Sequence, residues 1–302
     1  MKPSLVIPLL CFLLQQALAF YVGLSPAESG APPSVLAQAL RRALAGGIGG
    51  AIGGAIQVLT MMWLRTAMNV QYRDGGSLSH TLRSLYKEGG VPRFYRGLTF
   101  ALLQNPLSRF GDTFANVGVL AVFLSAAPHV PLGLQTALAS ACGSIWRVAI
   151  TPLDTLKTTL QVSGAGGYDL LLSRVKTAGV GTLWNGALAN ASASFVGSFP
   201  WFFTFNLLDE HLPPFNVLLR AAVMGCVATA VSDVVSNSLR VVKTLKQTAS
   251  SQISYREAAR RVVAQDGWRG LFLRGLSTRI IANTIQSMIF SVMWKYVEAS
   301  IA

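Results

Sequence analysis

Long apolar stretches alternate with short basic ones along this chain, and the alternation occurs three times. Apolar stretches run over residues 36–68, 98–125, 132–161, 187–210, 217–247 and 276–300. Each is long enough to predict a helix that crosses the roughly 30 Å hydrocarbon core of a bilayer. Between members of each pair lie amphipathic stretches at 77–88, 168–178 and 254–265, which predict three short surface helices. Pro128 with Pro131, and Pro213 with Pro214, separate the pairs. The pattern predicts an all-α membrane protein with six transmembrane helices in three repeats, both ends of the mature chain on one side.

The repeats share a punctuation. The third apolar stretch ends in Thr151-Pro152-Leu153-Asp154-Thr155-Leu156-Lys157-Thr158-Thr159-Leu160-Gln161. Weaker echoes run from Thr60 through Arg65 to Asn69, and from Ser238 through Lys243 to Gln247. Turns follow at Tyr95-Arg96-Gly97, Trp184-Asn185-Gly186 and Leu273-Arg274-Gly275, with the glycines 89 residues apart in both intervals. A fixed period with a helical hairpin in each unit describes a transporter built around an axis rather than a soluble enzyme.

These segments resemble the three repeats of the mitochondrial carrier family, whose odd-numbered helices carry P-x-[DE]-x-x-[KR] followed by Gln. The resemblance covers about residues 37–300. The second repeat matches in full. The first and third keep the base and an amide four residues later but lose the proline and the acid. The resemblance implies six tilted helices in three pseudo-symmetric repeats around a central cavity, short helices on the inner side, and solute transport by alternating access. It also implies an inner gate in which the acid of one repeat pairs with the base of the next. Carried over by position, Asp154 pairs with Lys243, Lys157 meets Met62, and Arg65 meets Arg240. Gln161 and Gln247 match the bracing amide, and Asn69 is a shorter version. Pro152 bends its helix, and Asp154 and Lys157, three apart, project from nearly one face. A plain proline-kinked helix with a snorkelling lysine is the alternative, and three in-register copies weigh against it.

By this reading residues 1–19 are a signal peptide, 20–35 a transit-like linker, and 36–126, 127–212 and 213–302 the three repeats. Met1-Lys2 is a short basic start, 5–14 an apolar run, and Ala17-Leu18-Ala19 a small-x-small cleavage signal. Phe20 follows the cut. The arrangement resembles the two-part leader of proteins imported into complex plastids, with an ordinary secretory leader or an anchor as alternatives. The expected location is an organelle membrane, a plastid envelope ahead of the mitochondrial inner membrane.

Composition agrees with a membrane protein. Apolar residues make up 52% of the chain and charged residues 12%, about half the charge of a typical soluble domain. The net charge of +13 falls mostly at helix ends and loops, which suits anionic headgroups better than nucleic acid. The three cysteines, Cys11, Cys142 and Cys226, are scattered in apolar segments and suggest neither disulfides nor a metal site. His80, His129 and His211 lie far apart, and no phosphate-binding loop or Cys/His metal spacing occurs, so no enzyme activity and no cofactor are expected.

Ionisable residues inside a membrane are costly and point to function. Arg147 and Asp233 occupy the same repeat position, where the first repeat has Ala55. Polar stripes at helical spacing accompany them: Gln104, Ser108, Asp112 and Asn116; Cys226, Thr229, Asp233 and Asn237; Asn283, Gln286 and Ser287. The fourth stretch instead has Ala193, Gly197, Trp201 and Phe205. Seven residues past each turn glycine fall Gln104, Ala193 beside Ser194, and Ala282 beside Asn283, which match the family's substrate contact points. The candidate solute site is therefore Gln104, Asp112, Arg147, Ser194, Trp201, Asp233 and Asn283. For single Ser and Thr residues, hydrogen bonding between helices is the plainer reading. One Arg with two Asp suits a solute bearing both a cation and an anion, such as an amino-acid-like or sulfonium metabolite. Gly97, Gly186 and Gly275 open the even helices, where the resemblance implies an anionic phospholipid, cardiolipin or phosphatidylglycerol. A monomer is expected. A non-transporting scaffold or membrane-insertion factor on the same fold is the rival reading, favoured by Met62 and Arg240.

Overall fold

The computed structural model describes residues 35–126, 129–213 and 216–286, and all regular structure among them is helical. The expected signal peptide, nearly all of the linker, and the sixth stretch from 287 onward lie outside the described residues. The helices are α1 Val35–Asp74, α2 Leu78–Phe94, α3 Leu98–Ala126, α4 Leu132–Ala149, α5 Thr151–Ser163, α6 Gly167–Ala178, α7 Ala187–His211, α8 Val217–Thr248 and α9 Tyr255–Leu273. A tenth, α10, begins at 276 and is described to 286.

The third apolar stretch forms two helices rather than one. Pro152 has no N–H to offer the carbonyl of Val148, so α4 stops at Ala149 and α5 restarts with Pro152 in its first turn. Ser77 and Ser254 start α2 and α9 as N-caps, accepting from the N–H groups of His80 and Glu257. Both helices run past their expected ends, but only after a glycine break. Gly90 has φ 61° and Gly267 φ 67°, and Gly179 (φ 79°) ends α6 in the same left-handed region. Among the described residues one helical stretch is long and apolar enough by length and composition to cross a membrane, Ala222–Thr248 in α8.

The helices form two compact units. One holds α1 up to Thr60 with Ala101–Ile150; the other holds Met61–Phe100 and the chain from Thr151 onward.

In the first unit glycines let α1 and α4 approach α3 closely. A Cβ on Gly54 would meet the Asn105 backbone at 3.0 Å, and one on Gly47 would strike the Phe110 ring at 2.7 Å. Asn105 Nδ2 donates to the Gly54 carbonyl at 2.8 Å and to Gln57 Oε1 at 3.1 Å. On the other side Trp146 Nε1 donates to the Leu107 carbonyl at 2.8 Å.

In the second unit apolar clusters form where α1 and α8 end. Met68 and Tyr72 of α1 meet Val241 of α8 and Val262 and Leu271 of α9. Ala67 meets Leu85 and Phe94 of α2. The α7–α8 pair is closed by Gly197, whose carbonyl accepts from Ser232 Oγ at 2.7 Å.

Candidate functional site

The residues at the expected gate positions lie in the second unit. Lys243 Nζ of α8 stands 2.6 Å from Asp154 Oδ2 of α5, with the two side chains 13% and 6% exposed. Gln247, one turn beyond Lys243, donates Nε2 to Asp154 Oδ2 at 3.0 Å and to Thr155 Oγ1 at 3.2 Å. The acid, the base and the brace are thus assembled. Gln161 is buried and its Oε1 accepts from Asn69 Nδ2 at 2.7 Å, a second amide contact between repeats. Met62 is buried, and Arg65 Nη2 donates to Gln286 Oε1 at 3.3 Å. Arg240 Nε donates to Ser236 Oγ at 3.3 Å. Arg65 thus donates to an amide oxygen, and Arg240, which stands at the acid position of the third repeat, to a hydroxyl oxygen.

The turn glycines form a cyclic set of contacts. Gly97, Gly186 and Gly275 have φ of 80°, 85° and 64°, the left-handed region in which a Cβ is strained. A Cβ on Gly97 would meet the Lys157 carbonyl at 3.2 Å, one on Gly186 the Lys243 carbonyl at 3.2 Å, and one on Gly275 the Met68 carbonyl at 3.3 Å. Each repeat thus presses its turn against the end of the odd helix of the next repeat. The glycines are needed for this approach whatever lies beside them.

The candidate solute residues fall in both units. In the first, Arg147 Nε donates to Asp112 Oδ1 at 3.1 Å, and its Nη2 donates to Asp112 Oδ2. The result is a two-pronged ion pair inside apolar helices. Gly143 faces Asp112 across the helix pair, its added Cβ 3.4 Å from Oδ1. Gln104 is buried in α3.

In the second unit Asp233, 2% exposed, accepts from Arg279 Nε and from Asn283 Nδ2. Arg279 Nη1 reaches Tyr72 Oη at 3.5 Å. A small cavity of about 10 Å³ adjoins the cluster, lined by Cys226, Thr229, Ala230, Asp233, Ile280, Asn283 and Thr284. Trp201 Nε1 donates to Thr229 Oγ1 at 3.1 Å, and its ring stacks on Phe205 at 5.1 Å. Ser194 Oγ is buried with no hydrogen-bond partner among the described residues.

Arg279 changes the charge count. The candidate set has one Arg and two Asp, whereas each unit holds an Arg–Asp pair, Arg147 with Asp112 in the first and Arg279 with Asp233 in the second. The signal was available, because Arg279 sits one turn before Asn283 on the same face of α10. It is missed by counting seven residues from each turn glycine. Each acid of the candidate set thus already holds an arginine within its own unit.

Helices in three repeats, with an acid–base latch and cyclic glycine contacts, define a carrier-type helical protein. The mitochondrial carrier protein family matches residues 35–120, 128–216 and 215–301, and the chain belongs to that family. The peroxisomal adenine nucleotide transporter 1 of Eremothecium gossypii is 30% identical over 149 residues, 44% of this chain and 43% of that protein. The mitochondrial thiamine pyrophosphate carrier 1 of Saccharomyces cerevisiae is 27% identical over 172 residues, 53% and 54% of the two chains. An uncharacterised mitochondrial carrier of Schizosaccharomyces pombe is 26% identical over 235 residues, 68% and 55%. The matched part spans about half the length of these curated relatives.

Proposed function

We propose that the chain carries a small charged solute across an organelle membrane by alternating access. The observation that supports this best is the Asp154–Lys243 pair with Gln247 against it, formed between two repeats at the family's gate positions. The solute is one with both an anionic and a cationic group. Its anion would take an arginine and its cation an aspartate of the candidate set, Arg147 with Asp112 in the first unit or Arg279 with Asp233 in the second, each replacing a partner the protein now supplies itself. Thiamine pyrophosphate, a cationic ring bearing a diphosphate, is a solute of this type and gives one relative its name. The adenine nucleotide of another relative's name is a competitor, since a guanidinium suits a phosphate.

The test is uptake into liposomes by the purified protein, comparing thiamine pyrophosphate, a zwitterionic amino acid, ATP and malate. Arg147→Ala and Asp233→Ala are each expected to cut uptake of the preferred zwitterion about tenfold or more, since each removes a contact and takes the ion-pair partner from a half-buried charge, Asp112 or Arg279. Rapid malate or ATP exchange with no zwitterion uptake would overturn the solute assignment. A folded protein that moves none of the four would favour the scaffold reading, which draws on Met62 and Arg240.

For location, the leader is the argument for a plastid envelope. A fluorescent protein behind residues 1–35 is expected to enter the plastid of a host with complex plastids, and Phe20→Ala to strand it outside. Import of the native fusion into mitochondria would move the carrier there. Anionic phospholipid at Gly97, Gly186 and Gly275 completes the reading, held by N–H groups at the starts of the even helices.

A further inference from the structure

Three buried arginines, one from each repeat, hold the ends of the odd helices. Arg93 Nη1 and Nη2 donate to the carbonyls of Gln161 and Val162 at 2.7 and 3.0 Å, at the end of α5. Arg274 Nη1 donates to the Arg73 carbonyl at 2.7 Å, at the end of α1. Arg174 Nη1 donates to the Gln247 carbonyl at 2.6 Å, at the end of α8. The last carbonyls of a helix have no intrahelical donors and form the negative end of its dipole, so a guanidinium serves well there.

In two repeats an acid completes the clamp. Glu88 Oε2 accepts from Arg93 Nε at 2.7 Å, and Asp266 Oδ2 accepts from Arg274 Nε at 2.8 Å and Nη2 at 2.7 Å. Each acid stands immediately before the glycine that breaks its inner helix, Glu88-Gly89 and Asp266-Gly267. The second repeat has Ala178-Gly179 there instead. Correspondingly, Arg174 is only 5% exposed, and its Nε and Nη2 have no hydrogen-bond partner among the described residues. A buried guanidinium with two unsatisfied nitrogens is costly, and burial alone pushes its pKa down.

We propose that Arg174 is an oxyanion site: a carboxylate or phosphate group takes the place that Glu88 and Asp266 fill in the other repeats, accepting from Nε and Nη2. That pair of nitrogens is the side of the guanidinium suited to two-pronged binding of one oxyanion. In the other two repeats the equivalent place opens to solvent: the acids there are 51% and 42% exposed although the arginines they cover are buried. Ala178 itself is exposed. The anion comes either from solution or from the phosphate of a lipid headgroup. It locks the end of α8 to α6, and so steadies the segment that carries Lys243 and Gln247. This assignment stands whether or not the chain transports a solute.

The test is thermal unfolding of the full chain in a neutral detergent, with inorganic phosphate titrated against chloride at matched ionic strength. The native Tm is expected to rise with phosphate and saturate. Ala178→Glu, which places a carboxylate four residues from Arg174, is expected to raise the Tm without phosphate and remove the response. Arg174→Gln is expected to lose the response as well. A second arm compares nanodiscs of neutral lipid with nanodiscs containing phosphatidylglycerol. Stabilisation by the anionic lipid that Ala178→Glu abolishes, without any phosphate response in detergent, identifies a headgroup as the source. A phosphate response that both variants retain means an adventitious ion only and overturns the proposal. So does the absence of any response to phosphate and lipid alike. If Arg174→Gln fails to fold, the Ala178→Glu comparison alone decides.

Discussion

Reversing the charge at the proposed gate, Asp154→Lys, is expected to abolish solute uptake and to lower the Tm markedly. The variant would set two lysines against each other at a place where the native side chains are 6% and 13% exposed. Removing one partner of a buried pair costs about 3–5 kcal/mol, because the survivor is left buried and uncompensated. Here the survivor also meets a like charge. The double variant Asp154→Lys with Lys243→Asp restores an opposite pair and is expected to recover a good part of both losses. Gln247 permits the reversal. Its Nε2 now serves Asp154, while its Oε1 is buried with no partner among the described residues. Rotating the amide by half a turn would offer that oxygen to a lysine at 154. The single and double variants are compared by Tm and by uptake in liposomes. A double variant no better than Asp154→Lys alone would mean that the two side chains do not act as a pair, and the gate assignment would fall.

What the sequence made visible depended on whether a feature repeats in register. The helices were visible because apolar periodicity and turn glycines recur at one interval. Asp154 was visible because the second repeat keeps the whole motif, and Lys243 and Gln247 because the third keeps the base and the amide at matched positions. Other contacts have no common register. Arg93 lies four residues before its turn glycine, Arg274 one before, and Arg174 twelve before. Their convergence on the ends of three odd helices is a property of folded positions and reach, since a guanidinium can approach the same carbonyls from several places along the chain. Arg279 was missed for a related reason. Position-by-position transfer looks only where the family places its contacts, whereas a long side chain one helical turn away reaches the same acid. The split of the third stretch at Ile150 was half visible: Pro152 announced a bend, and the missing N–H made it a break.

Placing a methyl group on Gly111 is the second change expected to be severe. A Cβ there would lie 1.9 Å from Trp146 Cδ1 and 2.1 Å from its Nε1, so the indole cannot stay where it is. Moving it breaks the Nε1 bond to the Leu107 carbonyl and disturbs the ring's tilted contact with Phe110 at 6.4 Å. The next residue on each helix belongs to the ion pair: Asp112 follows Gly111, and Arg147 follows Trp146. The clash therefore acts on the same crossing that carries the candidate solute charges. Overpacking of this kind costs about 1–3 kcal/mol, and an unpaired charge would add to it. Gly111→Ala is expected to lower the Tm and to weaken uptake together. Gly53→Ala serves as the control, since a Cβ at 53 meets nothing within 4 Å and Ala favours a helix over Gly by about 1 kcal/mol. That variant should match the native Tm or exceed it. Combining Gly111→Ala with Trp146→Ala relieves the clash, so its Tm should fall by less than the sum of the two single changes. A native Tm in Gly111→Ala would show that α3 and α4 do not approach so closely in the membrane. The pairing of Arg147 with Asp112 would then lose its structural footing.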